Sequence, residues 1–424
     1  MAQIIRKRNE TVTEGSRAAL NKKLEREDKL MSMRTILRSF GLCVFAFLWG
    51  SAAHSQTQST TLSVPSGSPR WDLQGNAKPA DYQGRKCLAL SGGLAILKDF
   101  EIRDGVVDVD VATPASYGFF GFYFRMTDDG ANTELVYLRQ HKSGRPDAMQ
   151  YTPVLNNGRN WQIYNGPGFT AAVEIPQNVW FHLRLEVAGA QAKLYVKDMD
   201  KPALLMSDLK SGIQKGQLAL FVLAGETYFS TFEVRQTPDA PWERHLPPTP
   251  PNILTKWTLS PEYDVYQSNG AFARNLERPL ASLEIAATQW QDVEAEPPGF
   301  VVIGRYRQTP QFQRSYENDF SKRLEPQPGT KVVYARTTIG SDRDQVKRLN
   351  IGYSDEVSVF LNGQILYRGR SYQKYRDSDF LGIVNLDNDY VYLPLKKGSN
   401  ELVLAVSEIG GGWGFICRID DMEN

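Results

Sequence analysis

The chain has 424 residues, of which 41% are hydrophobic and 11% aromatic, so it is too long for one ordinary domain and too apolar for global disorder. Three cysteines are too few for a scaffold built from disulfides. Beyond residue 55 the chain holds 39 basic and 43 acidic residues. This slightly negative balance argues against nucleic acid as a partner and leaves no polybasic patch for a membrane.

Residues 1–55 have the pattern of a misassigned start followed by a signal peptide. A short apolar run at 40–49 follows two arginines and precedes small residues, so cleavage is expected before Gln56. The run is shorter than the roughly 20 residues that cross a bilayer. We expect translation to start at Met31 or Met33. The mature protein is then secreted or periplasmic, with no stable membrane span.

The segment 56–235 is predicted to form a β-sandwich. Short runs alternate apolar and polar side chains with the period of two that a strand gives, and turns rich in Gly, Asn and Asp separate them. Repeated short strands of this kind are typical of a sandwich. The predicted strands are 105–111, 119–125, 134–141, 180–188, 192–198, 217–222 and 229–235.

Six prolines interrupt the strand pattern at 236–255, which is predicted to be a semi-rigid linker because proline cannot donate to a ladder. Residues 256–424 return to the β pattern, and Asn362-Gly363 is typical of a two-residue hairpin turn. We therefore expect an all-β protein of two β-sandwich, jelly-roll domains. The predicted strands of the second domain are 300–306, 331–339, 348–353, 356–361, 390–395 and 401–407.

Four blocks of the first domain carry a resemblance to a known superfamily: Phe100–Val111, FFGFYFR from Phe119, ELVYLRQH from Glu134, and Ile175–Asp198. Together they resemble the concanavalin A-like lectin/glucanase superfamily, and among its members the laminin-G-like and 3-keto-disaccharide-hydrolase-like domains. The resemblance covers about residues 70–235. It implies the sandwich fold and does not specify a ligand.

Two blocks of the second domain, Asp355–Gly369 (DEVSVFLNGQILYRG) and Leu393–Phe415 (LPLKKGSNELVLAVSEIGGGWGF), carry another resemblance. They resemble the galactose-binding-like jelly roll that is appended to β-galactosidases and other glycan-processing enzymes. The resemblance covers roughly residues 252–424. In that family the module more often binds or scaffolds than catalyses.

Aromatic and polar side chains on two consecutive predicted strands form the candidate glycan site. Tyr137, Arg139 and His141 share one strand face, and Tyr123 and Arg125 share a face of the preceding strand. Rings pack on the apolar faces of sugars, and polar groups bind their hydroxyls. The alternative is a second core layer from which arginine tips reach solvent. The following loop adds four candidates: Gln150, Tyr151, Trp161 and Tyr164.

The second domain offers Tyr372, Tyr375 and Trp413 as ligand-binding candidates. Trp413 lies in a glycine run at 410–414, which lets the backbone approach a ligand or a neighbour closely. The alternative is a tryptophan that closes the end of the sandwich.

The candidates for catalysis are few. Glycoside hydrolysis usually needs two carboxylates, and the nearest pair is Asp108 with Asp110, with His141 as a further acid or base. The alternative for this pair is an outer strand face in contact with water. Glu294 and Glu296 form a second pair in a proline-flanked loop. We therefore interpret the protein as a non-catalytic glycan-binding protein. The alternatives are a glycoside hydrolase or 3-keto-disaccharide-hydrolase-like enzyme, and a protein-binding adhesion module.

No cofactor is expected from the sequence, except that one segment could bind Ca²⁺. Asp387, Asn388 and Asp389 could offer Ca²⁺ three oxygen ligands, or they could form an ordinary turn. Cys87 and Cys417 could pair as a disulfide. The preferred interpretation is that both are buried as small hydrophobic residues.

Overall fold

Almost all regular structure in the described part of the chain is β-strand. The computed structural model describes residues 61–265, 289–309 and 329–421. Within these ranges the exceptions include two 3₁₀ turns, Gln140–Lys142 and Ile303–Arg305, and no helix is long and apolar enough to cross a membrane. The predicted signal peptide lies outside the described residues.

Fourteen strands in the first part of the chain belong to one antiparallel sheet. In chain order they are β1 (Thr61–Ser63), β2 (Trp71–Tyr82), β3 (Arg85–Ile102), β4 (Gly105–Ala112), β5 (Phe119–Met126), β6 (Thr133–Arg139), β7 (Met149–Leu155), β8 (Gly158–Arg159), β9 (Thr170–Ala171), β10 (Phe181–Ala188), β11 (Gln191–Val196), β12 (Leu204–Met206), β13 (Gly216–Ala224) and β14 (Thr227–Gln236).

This sheet curls until its two ends share one core. The main path runs β12-β11-β10-β4-β14-β3-β13-β5-β6-β7-β8. Side chains from near both ends, such as Leu194 in β11 and Met149 in β7, lie in the same buried cluster as Phe122 and Val109. The predicted alternation in β4 and β5 is confirmed, because their valines and phenylalanines fill this core.

The outer face of β5, β6 and β13 carries a second apolar layer. Tyr123, Tyr137 and Phe221 belong to it, with Leu135 and Ala219. Cross-strand pairing places Gly121 beside both Phe221 and Tyr137. Gly121 has no side chain, and a Cβ there would overlap the backbone of Val136 in the neighbouring strand.

In its described residues, the second part of the chain forms a sandwich of two sheets, with seven and four strands. Side chains from both sheets, including Trp257, Ile351 and Phe415, fill its core. Its strands are β15 (Lys256–Leu259), β16 (Tyr263–Asp264), β17 (Gln291–Glu294), β18 (Val301–Val302), β19 (Lys331–Ser341), β20 (Gln345–Ser354), β21 (Glu356–Leu361), β22 (Gln364–Arg370), β23 (Asp389–Leu395), β24 (Gly398–Ser407) and β25 (Gly414–Asp421).

The all-β sandwich prediction is therefore confirmed. The Asn362-Gly363 turn is confirmed too, since both residues have positive φ, 50° and 80°, and join β21 to β22. The predicted strand at 300–306 is wrong. It is a two-residue strand, β18, followed by a 3₁₀ turn.

Gln162 connects the first sandwich to the second, and we call this region the joint. Its Nε2 donates to Leu381 O at 2.9 Å, and its Oε1 accepts from Ser354 Oγ at 2.8 Å. Its backbone N–H donates to Gly411 O, and its backbone carbonyl accepts from Val384 N. The side chain is fully buried, so these hydrogen bonds stand in for bonds to water. An apolar cluster drawn from both sandwiches surrounds it: Leu155, Ile163, Tyr164, Val302, Val384 and Ile416.

The glycine run at 410–414 packs against the joint. Gly411 has φ +121°, and a Cβ there would overlap Gln162 Oε1. A Cβ on Gly412 would lie 3.0 Å from Asn160 Cα. Trp413 is fully buried and donates to Val406 O at 3.1 Å, so the interpretation of Trp413 as a ligand-binding residue is wrong. It packs inside the second sandwich.

Cys87 and Cys417 are free and buried, in agreement with the preferred interpretation of the sequence. Burial, together with the negative charge of Asp81, raises the pKa of Cys87 to about 11, and burial raises the pKa of Cys417. Both thiols are therefore protonated at neutral pH.

Replacing Gln162 with Ala should lower the free energy of unfolding by roughly 2–4 kcal/mol, because buried polar partners in the second sandwich lose their hydrogen bonds. Chemical denaturation followed by tryptophan fluorescence measures this. Gln364→Ala, at an exposed position of β22, is the matched control and should change stability by about 0.5 kcal/mol or less. Equal effects of the two substitutions would contradict a structural role for the joint.

Candidate functional site

A cavity of about 790 Å³ opens on the outer face of the first sandwich, and we call it the groove. Tyr123 and Phe221 form its floor, with ring centroids 4.7 Å apart. Arg159 and Tyr117 contribute to its walls, and the segment 223–225 to its rim. The strands place these residues together because β13 pairs with β5, and β5 pairs with β6.

Arg159 is the charged residue of the groove. Its Nη2 donates to Tyr123 Oη at 3.0 Å, and its guanidinium carbon lies 5.5 Å from the centroid of the Phe221 ring. These contacts fix the guanidinium before a ligand arrives, which reduces the entropy lost on binding. Among the described residues that line the groove there is no Asp or Glu.

Tyr117 forms an exposed edge of the groove. It is 48% exposed and stacks on His141, with ring centroids 4.4 Å apart. Phe119 meets the same imidazole edge-on at 5.0 Å. Burial and the positive charges of neighbouring Arg139 and Lys142 lower the pKa of His141, so its ring is neutral at pH 7. His141 therefore supports Tyr117 from behind.

Three of the predicted site residues form a buried polar network beside the groove and do not line it. Arg139 donates to Tyr137 Oη at 2.9 Å and to Gln150 Oε1. Gln150 in turn donates to the backbone carbonyls of Trp161, at 3.1 Å, and Tyr164, at 2.8 Å. The network thus holds the loop that follows β8, the strand that carries Arg159. Burial raises the pKa of Tyr137, which stays protonated.

The expectation that Arg125 shares a face with Tyr123 is wrong. Arg125 has φ +51°, and the pairing of β5 with β13 shifts register there, so strand alternation breaks. The fully buried side chain donates to Arg103 O and to Asp104 Oδ1, the latter at 3.0 Å. It also lies 5.0 Å from the centroid of the Trp242 ring.

Tyr151 and Tyr164 are also buried away from the groove. Tyr151 lies in the main core, where its hydroxyl donates to Glu134 Oε2 at 2.7 Å. Tyr164 belongs to the apolar cluster of the joint, and its hydroxyl donates to Glu296. Trp161 is half-buried, and its contact with the site network is through its backbone carbonyl.

Of the predicted site residues, Tyr123 lines the groove, and His141 contacts it indirectly by stacking on Tyr117. Arg159, Tyr117 and Phe221 were missed. The alternation in β13 could have identified Phe221, since Leu220 and Val222 on either side of it enter the core. No local signal places Arg159 over Phe221, because β8 reaches the groove only through β7, β6 and β5.

Asp108 and Asp110 lie on a different surface, facing β10. His182 bridges them, with Nε2 2.9 Å from Asp108 Oδ1 and Nδ1 2.9 Å from Asp110 Oδ1. Arg184 and Arg85 also donate to them, at 2.7 Å and 3.0 Å. The structure therefore does not combine this pair with His141. Asp108 and Asp110 lie on the outer face of β4, opposite the valines that fill the core, as in the alternative interpretation.

The second sandwich does not form a site from its three aromatic candidates. Tyr372 is buried and Tyr375 is 46% exposed, with their ring centroids 4.8 Å apart, while Trp413 is in the core. A pair of exposed tyrosines in this sandwich was missed. Tyr390 and Tyr392 are 58% and 50% exposed on the outer face of β23.

Asp387 and Asp389, the candidate Ca²⁺ ligands, take part in hydrogen bonds within the protein. Asp389 accepts from Tyr353 Oη at 2.8 Å and from Arg376 Nη2 at 2.6 Å. Asp387 donates its backbone N–H to Asn385 Oδ1, as in an ordinary turn. In the described ranges, no group of three His, Cys, Asp or Glu residues could hold a metal ion.

No family model and no curated protein matches the chain. Solved structures do match. A carbohydrate-binding module from Bacillus subtilis is 17% identical over 39% of this chain and 96% of its own, with a TM-score of 0.32. A galectin-like-fold protein of unknown function from the same organism is 12% identical over 41% and 94%, with a TM-score of 0.33. A β-glucanase from Bacillus licheniformis is 11% identical over 42% and 99%, with a TM-score of 0.31. With TM-scores this low, these similarities do not indicate a function.

The pKa of His182 should lie above the roughly 6.5 of an unperturbed histidine. Burial opposes its charge, but the hydrogen bonds to Asp110 and Asp108 outweigh that effect. The stability that charged His182 contributes is therefore complete below about pH 6.5 and is lost as pH rises through the folded-state pKa. NMR titration of the imidazole measures it. Asp108→Asn should lower the titration midpoint, and an unchanged midpoint would contradict the bridge.

Proposed function

We propose that the protein binds carbohydrate in the groove and does not cleave it. A sugar ring offers apolar C–H faces and a belt of hydroxyls, so a site for it combines aromatic rings with a few fixed polar groups. Tyr123, Phe221 and Tyr117 supply the rings, and Arg159 supplies the donors.

The observation that carries the proposal is the composition of the groove. Hydrolysis of a glycosidic bond usually requires two carboxylates on opposite sides of the bond. The described lining of the groove holds rings and one guanidinium without a carboxylate. The two carboxylate pairs noted in the sequence lie elsewhere: Asp108 and Asp110 bind His182 on a different surface, and Glu294 and Glu296 do not line the groove. This separation supports recognition over catalysis.

The size of the groove supports a ligand larger than a monosaccharide. Its volume of about 790 Å³ lies within the range of roughly 300–1,000 Å³ that is usual for ligand sites. Export of the chain by the predicted signal peptide would bring the groove into contact with extracellular or periplasmic glycans.

A pull-down of the full chain on insoluble polysaccharides, with affinity electrophoresis in soluble ones, tests the proposal. Arg159→Gln should weaken retention about tenfold, since a charge-assisted hydrogen bond is lost. Tyr117→Ala should weaken it roughly fivefold through the lost ring contact. Tyr392→Ala is the matched control, because Tyr392 is 50% exposed, close to the 48% of Tyr117, and lies outside the groove.

The supernatants are assayed for released sugar in the same experiment. Retention without release, weakened by both groove substitutions and unaffected by the control, supports the proposal. Release of sugar by the purified protein would overturn the non-catalytic part of it. Failure to bind across a broad glycan panel would overturn the whole proposal and favour a protein partner.

A further inference from the structure

Arg159, the charged residue of the groove, lies on a short strand at the end of the sheet. β8 is the last strand on the main path, and its neighbour there is β7. Two residue pairs join these strands, Val154 with Arg159 and Leu155 with Gly158. A strand this short forms few ladder hydrogen bonds, so its position depends on what else contacts it.

The turn between β7 and β8 is bound to the second sandwich. Asn156 and Asn157 form this two-residue turn, with φ 46° and 70°. Asn156 Nδ2 donates to Gly304 O at 3.0 Å and to Arg305 O at 3.1 Å. The backbone carbonyl of Asn156 accepts from Thr309 N at 3.2 Å. One turn residue thus bonds to the second sandwich through both its side chain and its backbone.

The segment that accepts the amide bonds is itself fixed in the second sandwich. Gly304 and Arg305 lie in the 3₁₀ turn Ile303–Arg305. Ile303 is fully buried in the core of this sandwich, and Gly304 N donates to Trp413 O at 3.2 Å. The two acceptor carbonyls are therefore held in place by the second sandwich.

Close packing keeps the β7–β8 hairpin against the same segment. A Cβ on Gly158 would overlap Thr309 Oγ1, so β8 approaches the second sandwich as closely as only glycine allows. Leu155 belongs to the apolar cluster of the joint, and Val154 belongs to the layer that contains the floor of the groove. The hairpin therefore lies between the second sandwich and the groove.

The residues that follow Arg159 are attached to the second sandwich as well. Gln162 Nε2 donates to Leu381 O, and Gln162 Oε1 accepts from Ser354 Oγ. Arg159 thus lies between two attachments, with Asn156 three residues before it and Gln162 three residues after it.

We propose that Asn156 is a positioning residue for ligand binding in the groove, through which the second sandwich sets the orientation of Arg159. The inference rests on the function proposed for the groove. Asn156 does not line the groove, so it acts through the hairpin. A guanidinium already fixed against Tyr123 and Phe221 loses less entropy when a ligand binds.

Asn156→Gly tests the positioning without a ligand. It removes both amide donations and keeps the positive φ, which glycine adopts readily. It should shift the NMR signal of the Arg159 Nε–H, which Arg159→Gln assigns by its loss. Asn157→Gly is the matched control, because Asn157 lies in the same turn and donates its backbone N–H to Ala131 O of the first sandwich. It should leave the Arg159 signal in place.

Affinity electrophoresis of the full chain in mixed-linkage β-glucan, xylan, galactomannan and polygalacturonate measures the effect on binding. In a polysaccharide that retains the unmodified protein, Asn156→Gly should weaken retention about fivefold, and Asn157→Gly should leave it unchanged. In the Arg159→Gln background, Asn156→Gly should cause no further loss, because it acts through Arg159. A purely structural role would weaken retention by the same factor in both backgrounds.

All variants are compared at a temperature well below their Tm. If Asn156→Gly does not fold, Asn156→Asp replaces it in both measurements. Aspartate also suits a two-residue turn, but its carboxylate cannot donate to the two carbonyls.

Three results would overturn the proposal: an unchanged Arg159 signal in Asn156→Gly, equal effects of the two turn substitutions, or the full loss of retention repeated in the Arg159→Gln background. Failure of the unmodified protein to bind any of the polysaccharides would instead overturn the function proposed for the groove. The Arg159 signal is measured without a ligand, so it separates these two failures.

Discussion

The structure depends on one buried amide. Gln162 belongs to the first sandwich by sequence, yet both polar atoms of its side chain bond to the second sandwich. A buried amide whose nitrogen and oxygen are both hydrogen-bonded favours one arrangement, because a shift leaves a donor or acceptor without water and without a partner. Burial of the apolar cluster around Gln162 holds the two sandwiches together without fixing their orientation. The hydrogen bonds of the amide fix that orientation.

The same short segment serves the groove on one side and the joint on the other. Arg159 extends to Tyr123 and Phe221, and three residues later Gln162 enters the second sandwich. The carbonyls of Trp161 and Tyr164, between and beyond them, are held by Gln150. The position of the groove's only lining charge in the described residues is therefore set by the second sandwich as well as by the first.

Strand alternation predicted the fold and part of the site, because it depends on local geometry. It placed the valines of β4 and the phenylalanines of β5 in the core correctly. It failed at Arg125, where a shift of register turns the side chain away from the face that holds Tyr123. The sequence did not indicate this shift, because a bulge is not visible in an apolar–polar pattern. It also missed β2 and most of β3, whose polar and glycine-containing sequences lack a clear alternation.

The parts of the structure that the sequence did not indicate arise from contacts between distant segments. Trp242 and Arg244 were assigned to a linker on the strength of their prolines, but they contact Arg125 and Asp208 of the first sandwich. Glu296 was noted as one of a pair with Glu294, whereas its partners are Tyr164 and Arg305. Nothing in the spacing of these residues encodes such pairing, since charge and aromatic contacts of this range follow from the closed fold.

The apolar cluster of the joint has a practical consequence for anyone who divides the chain. A cut within the proline-rich stretch would expose Leu155, Ile163 and Tyr164 on one fragment, and Val302, Val384 and Ile416 on the other. Contiguous apolar surface of this kind promotes self-association in water. Each fragment would also carry the unpaired half of the Gln162 contacts. Expression of either sandwich alone therefore invites aggregation, and insolubility of a fragment would reflect the missing neighbour more than a defect in its own fold.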